Sequence, residues 1–214
     1  MGLMLALVAG LSACGSSSAP PRFLATGYVA DQGIMRIWRK DSGSGQPLAL
    51  MSVYTPLRDN DTVVSHYEYT HGKLTQVRQS HGGGGHESLL LRFDENDEVI
   101  FMQRQLSDRK EVLSADDITR ARFQARHAQE LSDTLRAGQV RLQQGRWSKG
   151  QYTSCAGTPQ KLKLDAWQTA WIEQRAARTA MPLGIAWLDA PEGTQLLLVA
   201  NENFCSWEPT EKSM

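Results

Sequence analysis

Residues 23–40, FLATGYVADQGIMRIWRK, decide the fold of this chain. Two runs rich in apolar and aromatic side chains, Phe23 to Ala30 and Ile34 to Lys40, flank the polar segment Asp31-Gln32-Gly33. Such runs favour strands, and a short connection that contains glycine is typical of a β-hairpin. The stretch therefore predicts two antiparallel strands at the start of the folded chain.

The same pattern continues to Leu106, because each further apolar run is closed by a turn signal such as His71-Gly72. Consecutive hairpins pair neighbouring strands, so the pattern predicts an antiparallel meander of about seven strands. The remaining strands are predicted at Leu48 to Thr55, Val63 to Tyr69, Lys73 to Gln79, Ser88 to Phe93 and Glu98 to Gln105.

Two helices are predicted after the meander. Ser114 begins the first one as a capping residue, with Asp117 in the place of the Glu of a capping box, and Gly138 ends it. The second helix is predicted from Asp165 to Thr179. Apolar residues recur at helical spacing along the first helix, at Ile118, Ala121, Ala125, Ala128, Leu131 and Leu135.

Two hairpins are predicted around the second helix. One pairs residues 140–144 with 147–153 around a turn at Gly145 to Gly150, and the other pairs Leu183 to Leu188 with Gln195 to Phe204. The order of elements predicts an α+β protein, an antiparallel β-meander sheet covered on one side by two amphipathic helices, with C-terminal hairpins. We predict a single globular domain over residues 23–208 and a frayed tail over 209–214.

The N-terminus resembles a bacterial lipoprotein signal. The apolar run from Leu3 to Ala13 is too short to span a bilayer, and Leu11-Ser12-Ala13-Cys14 resembles a lipobox, which predicts a signal peptide over residues 1–13. Cys14 would be acylated, and residues 14–22 would form a tether. Gly15 after the cysteine implies the outer membrane, facing the periplasm. The pair Met1-Gly2 lacks the usual basic residue, and the alternative is a buried N-terminal helix.

The other two cysteines, Cys155 and Cys205, would lie in an oxidising compartment. Two thiols there tend to form one disulfide, which is the pairing we predict. The alternative is two buried free thiols. The chain contains no CxxC motif, the pattern typical of a redox enzyme.

Composition excludes several classes of function. The 23 Lys and Arg residues balance the 23 Asp and Glu residues. The chain therefore lacks the surplus of positive charge that is typical of nucleic-acid binding proteins. Gly145 to Gly150 has the glycine spacing of a Walker A loop, but Gln151-Tyr152 stand where Lys and Ser or Thr are required. No catalytic motif is present, and we predict no cofactor. The chain is therefore interpreted as a non-catalytic module, and the alternative is a hydrolase with a non-standard site.

His81 and His86 are the candidate metal ligands. They border a run of glycines, so a metal site built from them would have two ligands on a flexible loop. An exposed loop that happens to be bordered by histidines is the alternative. His86-Glu87 begins like the HExxH motif of zinc proteases, but Leu90 stands where the second histidine is required.

Tryptophan is frequent, with 6 in the chain. Trp and Arg are enriched at the centres of protein interfaces, so Trp167, Trp171 and Trp147 form a candidate interaction patch. The alternative for Trp167 and Trp171, which are four residues apart, is packing between a helix and a sheet.

Four segments carry a resemblance to a known family: IMRIWRK at 34–40, LRFDENDEVIFMQRQL at 91–106, GRW at 145–147 and IAWLDAPEGTQLLLVANENFCSW at 185–207. Together with Cys14 they resemble the YjaH-type family of enterobacterial and related lipoproteins. The resemblance covers nearly the whole mature chain and implies a lipoprotein with a cysteine pair. The family is a domain of unknown function, so it supplies no catalytic residues. We expect a membrane-anchored module that binds an envelope protein or glycan, with periplasmic metal binding as the alternative.

Overall fold

The N-terminal hairpin is present and begins a long meander. A computed structural model describes residues 21–58, 61–82 and 87–214, and in it each strand of the first sheet pairs antiparallel with the next one along the chain. This first sheet has eight strands in the described residues, so the predicted meander is confirmed and ends in one further short strand. The strands are β1 (Phe23–Ala30), β2 (Gly33–Asp41), β3 (Pro47–Pro56), β4 (Val63–Thr70), β5 (Lys73–His81), β6 (Ser88–Phe93), β7 (Val99–Gln105) and β8 (Lys110–Glu111).

The C-terminal strands form a second antiparallel sheet in the order β11, β10, β9, β12, β13. The predicted hairpins are both present, and they join because β9 pairs with β12, which follows it after a helix. Sequence patterns identified the hairpins without predicting that they form a separate sheet. The strands are β9 (Arg141–Ser148), β10 (Gln151–Ser154), β11 (Pro159–Gln160), β12 (Leu183–Ala190) and β13 (Gly193–Ala200).

The predicted extent of the turn between β9 and β10 is wrong. The segment 145–150 was expected to form the turn, but Gly145 lies within β9 and only Lys149 and Gly150 form it, with φ of 51° and 76°. Positive φ at both central residues is typical of the tight turn whose twist matches paired strands. Gly145 is buried beneath the Tyr152 ring, so its missing side chain serves packing within the sheet.

The two helices are α1 (Ala115–Ala137) and α2 (Ala166–Ala176). The predicted capping box of α1 is confirmed, because the side chain of Ser114 accepts from the backbone N–H of Asp117 and the Asp117 carboxylate accepts from the backbone N–H of Ser114. Asp165 caps α2 in the same way, and the helix ends three residues earlier than predicted. Residues Phe204–Trp207 form a 3-10 helix and not the end of a strand.

The protein has four layers: α1, the first sheet, the second sheet and α2. Small residues of α1, among them Ala121 and Ala125, pack on one face of the first sheet. The opposite face of β2 to β4 packs against the second sheet through Trp38 and Leu142. The outer face of the second sheet is covered by Ile172 of α2. The predicted α+β class is confirmed, but the helices cover two different sheets.

The last residues differ from the predicted frayed tail. Lys40 Nζ donates to the carbonyl oxygens of Glu211 at 2.9 Å and of Met214 at 2.5 Å, and the Met214 side chain packs against the core shared by the two sheets. The tail is held because an amino group of β2 satisfies its backbone carbonyls. No helix in the described part of the chain combines the length and apolar character needed to cross a membrane.

Candidate functional site

A pocket lies between α1 and the first sheet. Ile37 of β2 pairs with Ser52 of β3. Ser52 pairs in turn with Ser65 of β4, and Ser65 pairs with Gln79 of β5. These residues therefore form one row across four strands, on the face that carries α1. The two serines fill little space, and α1 places the small Ala128 over them, which leaves a cavity of about 330 Å³. We name it the helix–sheet pocket; it is lined by Tyr28, Met35, Ile37, Ser52, Tyr54, Val63, Ser65, Tyr67, Gln79, Gln124, His127, Ala128 and Leu131.

The floor of the helix–sheet pocket carries a small polar group within an apolar surround. Gln79 Nε2 donates to Ser65 Oγ at 3.2 Å, and the buried Tyr67 hydroxyl contacts the side chains of Ser65 and Ser52. Burial raises the pKa of Tyr67, and the hydrogen bonds to the two serines only partly oppose that rise. Tyr67 is therefore a neutral hydroxyl at physiological pH, able to donate to a ligand or to accept from it.

The rim of the pocket is formed by less buried residues. Gln124 and His127 of α1 are exposed, whereas Tyr28 and Tyr54 are half-buried. Burial and the neighbouring Tyr54 raise the pKa of Tyr28, so this hydroxyl is also neutral. No Asp, Glu, Lys or Arg lines the pocket in the described part of the chain. The pocket therefore suits an uncharged, largely apolar molecule with one or two polar atoms.

A network of ion pairs, which we name the Arg39 clamp, holds the C-terminal end of α1 on β2. It contains Arg39, Asp41, Ser132, Asp133 and Arg136. Arg39 Nε donates to Asp41 Oδ1 at 2.6 Å, and Arg39 Nη1 donates to Ser132 Oγ at 2.9 Å and to Asp133 Oδ1 at 2.6 Å. Arg136 closes the ring by donating to both aspartates. Two arginines and two aspartates balance, which lets Arg39 be buried to 1% exposure.

The Arg39 clamp positions the helix–sheet pocket. Leu131 lines the pocket, and the next two residues along α1, Ser132 and Asp133, are those that bind Arg39. The spacing of Asp133 and Arg136 along α1 is by itself typical of a solvated helix face. Their partners Arg39 and Asp41 lie in a strand some ninety positions earlier, and no local pattern reveals that pairing.

The predicted disulfide is confirmed. Cys155, after β10, is bonded to Cys205 in the 3-10 helix, with Cα atoms 5.1 Å apart. The bond closes a loop with a sequence separation of 50 and fastens the C-terminal segment to the second sheet. The alternative of two free thiols is therefore wrong.

The structure describes one of the two histidine candidates, His81. His81 Nδ1 lies 2.8 Å from both carboxylate oxygens of Asp61, across the end of β5, and His86 lies outside the described residues. Within residues 21–58, 61–82 and 87–214, no three His, Cys, Asp or Glu side chains are grouped to hold a metal ion. The contact with Asp61 accounts for the position of His81.

The tryptophan candidates do not form one patch. Trp167 and Trp171 of α2 are exposed to 75% and 39%, but Trp147 of β9 is 6% exposed and packs in the core beneath α2. The inclusion of Trp147 in a surface patch is corrected, because β9 directs its side chain toward Tyr152 and Ile172. Ile172 is the residue by which α2 packs on the sheet, so Trp167 is free for contacts outside the chain.

Sequence reasoning missed the helix–sheet pocket. The signal present in the sequence was the placement of Ser52 and Ser65 between apolar or aromatic residues on the inward-facing sides of two strands. A small polar residue at such a position indicates either a buried hydrogen bond or unfilled space. Cys14, the predicted site of acylation, lies outside the described residues.

Comparisons with known proteins identify the family of this chain. The family model described as a protein of unknown function (DUF1481) matches residues 25–210. The chain is 41% identical over 213 residues to the uncharacterized protein YjaH of Escherichia coli (strain K12), a match that spans 99% of this chain and 91% of that relative. No solved structure matches the chain significantly. The chain therefore belongs to the DUF1481 family of proteins of unknown function.

Proposed function

We propose that this protein is a lipid-anchored periplasmic module that binds a small apolar molecule in its helix–sheet pocket. The anchor would be the acylated Cys14, held at the outer membrane, with residues 15–22 as a tether between the lipid and β1. The motif from Leu11 to Cys14 supports this location, and so does the disulfide, because disulfides are rare outside oxidising compartments.

The single observation that carries the binding proposal is the form of the pocket. Its volume of about 330 Å³ lies at the small end of the range for ligand sites. Its lining combines aliphatic and aromatic side chains with the polar floor at Tyr67, Ser52 and Ser65. Apolar walls would supply affinity by removing ligand surface from water, and the hydroxyl groups would orient one polar atom of the ligand.

The lining favours binding over catalysis. Tyr67 is made less acidic by burial, and the lining includes no carboxylate. Its histidine, His127, lies on the exposed rim and forms no hydrogen bond with Tyr67, Ser52 or Ser65, so no base among the described residues is in place to activate these hydroxyls as nucleophiles. A metal-dependent role has no comparable support, because the partner of His81 is a single carboxylate. The pocket is therefore assigned to recognition of a neutral ligand.

Binding of phenylnaphthylamine, a neutral apolar fluorescent probe, tests the proposal. Wild-type protein should enhance the fluorescence of the probe in a saturable way, and Ser65→Leu, which fills the floor of the pocket, should abolish saturation. Ser80→Leu makes the same change at an exposed position one strand away and should bind as wild type does.

Ala128→Phe blocks the pocket from the helix side and gives a second variant if Ser65→Leu unfolds. Thermal melting must show that each variant is folded. Equal binding by wild type and by both folded pocket variants would exclude the pocket as the site.

A further inference from the structure

A groove lies where the two sheets and α2 meet, on the other side of the first sheet from the helix–sheet pocket. It consists of two adjoining depressions of about 590 and 220 Å³ that share Arg175 and Asn201. The first sheet contributes the end of β3, which Arg58 follows, and the 3-10 helix contributes Trp207. The far depression lies against Trp171 of α2 and against Arg178, which follows the end of that helix. We name this feature the inter-sheet groove.

The inter-sheet groove is lined by three exposed arginines. Arg58, Arg175 and Arg178 are exposed along it, and none forms an ion pair within 4 Å with a carboxylate of the described residues. Glu202 is the acidic residue of the groove, and its carboxylate accepts from Trp207 Nε1 at 3.0 Å. The groove therefore presents a surplus of positive charge, in a protein whose net charge is zero.

A buried arginine behind the wall of the groove adds to its positive charge. Arg36 of β2 is 0% exposed, and its Nη2 donates at 3.0 Å to Thr55 Oγ1, a residue of the groove wall. Its other hydrogen-bond and cation–π partners are also neutral, Gln144 Oε1 at 3.2 Å and the ring of Phe204, and Nε has no partner among the described residues. The Glu202 carboxylate of the groove acts on Arg36 electrostatically, but Arg36 and the three exposed arginines together outnumber this acidic residue. A charge in a low-dielectric surround is weakly screened, so Arg36 favours an anion in the groove.

The aromatic and amide groups of the groove suit a sugar. Trp207 lies against the end of β5, where a side chain at Gly82 would meet its ring at 2.5 Å, so glycine is required for the ring to lie there. A tryptophan ring packs well on the apolar C–H face of a sugar ring. Asn201 and Gln174 offer amide groups that can both donate to hydroxyls and accept from them.

We propose that the inter-sheet groove binds a carbohydrate chain that carries carboxylate or phosphate groups. The arginines pair with the anionic groups, since a guanidinium binds both types by paired hydrogen bonds. Trp171 and Trp207 pack on sugar rings at the two ends of the groove. An elongated ligand fits because the two depressions continue into each other through Arg175 and Asn201. This site is independent of the helix–sheet pocket.

Calorimetric titration of the full chain, kept in a neutral detergent, with defined polymers tests the proposal, once thermal melting has shown that the protein is folded. Oligogalacturonate supplies carboxylates and phosphorylated dextran supplies phosphates, and comparison of the two distinguishes the anionic groups. Plain dextran is the neutral sugar control, and polyglutamate is an anionic chain without sugar. We expect saturable binding of at least one anionic carbohydrate, weakened by salt, and weaker binding of both controls.

Arg175→Gln with Arg178→Gln removes two exposed charges, one from the last turn of α2 and one just after it. The double substitution should lower the affinity by about ten-fold or more, since charge-assisted hydrogen bonds are lost. Arg120→Gln with Arg126→Gln makes the same change on α1 and should leave the affinity within a factor of two or so. Trp171→Ala should weaken binding without changing its salt dependence.

Three results would overturn the proposal. Failure of both anionic carbohydrates to bind would exclude the ligand class. Equal affinity for polyglutamate would show a general polyanion or peptide site, and equal loss in the α1 control would show attraction by overall charge.

Discussion

Arg39 Nη1 lies 2.6 Å from Asp133 Oδ1, so a buried residue of β2 is joined directly to the last turns of α1. The same guanidinium binds Asp41 through Nε, and Arg136 binds both aspartates. The amphipathic pattern of α1 determines which face of the helix is buried. The Arg39 clamp determines where along the sheet that face lies, and so the width of the helix–sheet pocket.

Removing Arg39 should destabilise the protein strongly. Arg39→Met keeps most of the side-chain volume but leaves Asp41 buried with one fewer cation, and breaking such a pair costs about 3–5 kcal/mol. Urea unfolding should show this loss in the free energy of unfolding. Arg120→Gln removes an exposed arginine of α1 and should change stability by less than about 0.5 kcal/mol. If Arg39→Met and Arg120→Gln changed the free energy of unfolding by the same small amount, the structural role of the Arg39 clamp would be contradicted.

Loss of the disulfide should also destabilise the fold. A covalent loop of this length reduces the entropy of the unfolded chain, so Cys155→Ser with Cys205→Ser should lower the free energy of unfolding by about 2–4 kcal/mol. Thermal unfolding with and without dithiothreitol measures the effect. Reductant should lower the melting temperature of the wild type toward that of the variant and leave the variant unchanged. A wild type insensitive to reductant under unfolding conditions would contradict this.

Substitution of Cys14 should release the protein from the membrane. Cys14→Ala removes the thiol that would carry the acyl chains, and permanent anchoring requires more than one chain. Fractionation of cells that express the full chain should show the wild type with the outer membrane and the variant outside that fraction. Mass spectrometry of the wild type should find lipid on Cys14. Membrane association unchanged by Cys14→Ala would exclude this anchor.

His66 should make stability depend on pH. Burial lowers the pKa of His66 below 6.5, the neighbouring Arg78 lowers it further, and Glu68 opposes both. The folded protein therefore favours the neutral imidazole. The contribution of His66 to the free energy of unfolding is complete above pH 6.5 and is lost as the pH falls through the lowered pKa. His66→Gln should reduce the loss of stability between pH 7 and pH 5, measured by urea unfolding at each pH. An identical loss in both proteins would contradict this assignment.

Gly145 should not tolerate a side chain. A Cβ there would lie about 2.7 Å from the Tyr152 ring and would meet the Thr153 carbonyl more closely still. Both belong to the paired strand, so Gly145→Ala should cost about 1–3 kcal/mol by overpacking. Gly43→Ala is the matched control, because its Cβ would meet only the flexible Arg22 side chain. Equal melting temperatures for the two variants would contradict the packing described for β9.

Much of the local structure was predictable from the sequence. His71-Gly72 was identified as a turn, and both residues have positive φ in the structure, at 51° and 77°. Ser114 and Asp117 formed the expected capping box. These features depend on neighbours in the chain, so residue type and spacing are sufficient to predict them. The disulfide was predictable for a different reason. The lipobox assigns Cys14 to the anchor and indicates an oxidising compartment, where the two remaining cysteines tend to pair.

The candidate sites were not predictable, and the reason is sequence separation. The helix–sheet pocket exists because Ser52 and Ser65 are neighbours across two strands and Ala128 of a later helix lies above them. The inter-sheet groove brings Arg58 and Arg175 together from positions more than a hundred residues apart.

The sequence by itself therefore determined the α+β class, the succession of hairpins, the helix caps and the family. These follow from the period of apolar residues and from turn chemistry, which act over a few residues. Only the tertiary structure decided that the strands divide into two sheets, that Arg39 and Asp133 are partners, and that Trp147 is buried while Trp167 is exposed. Those outcomes depend on which surfaces exclude water against each other, and that is a property of the whole packed chain.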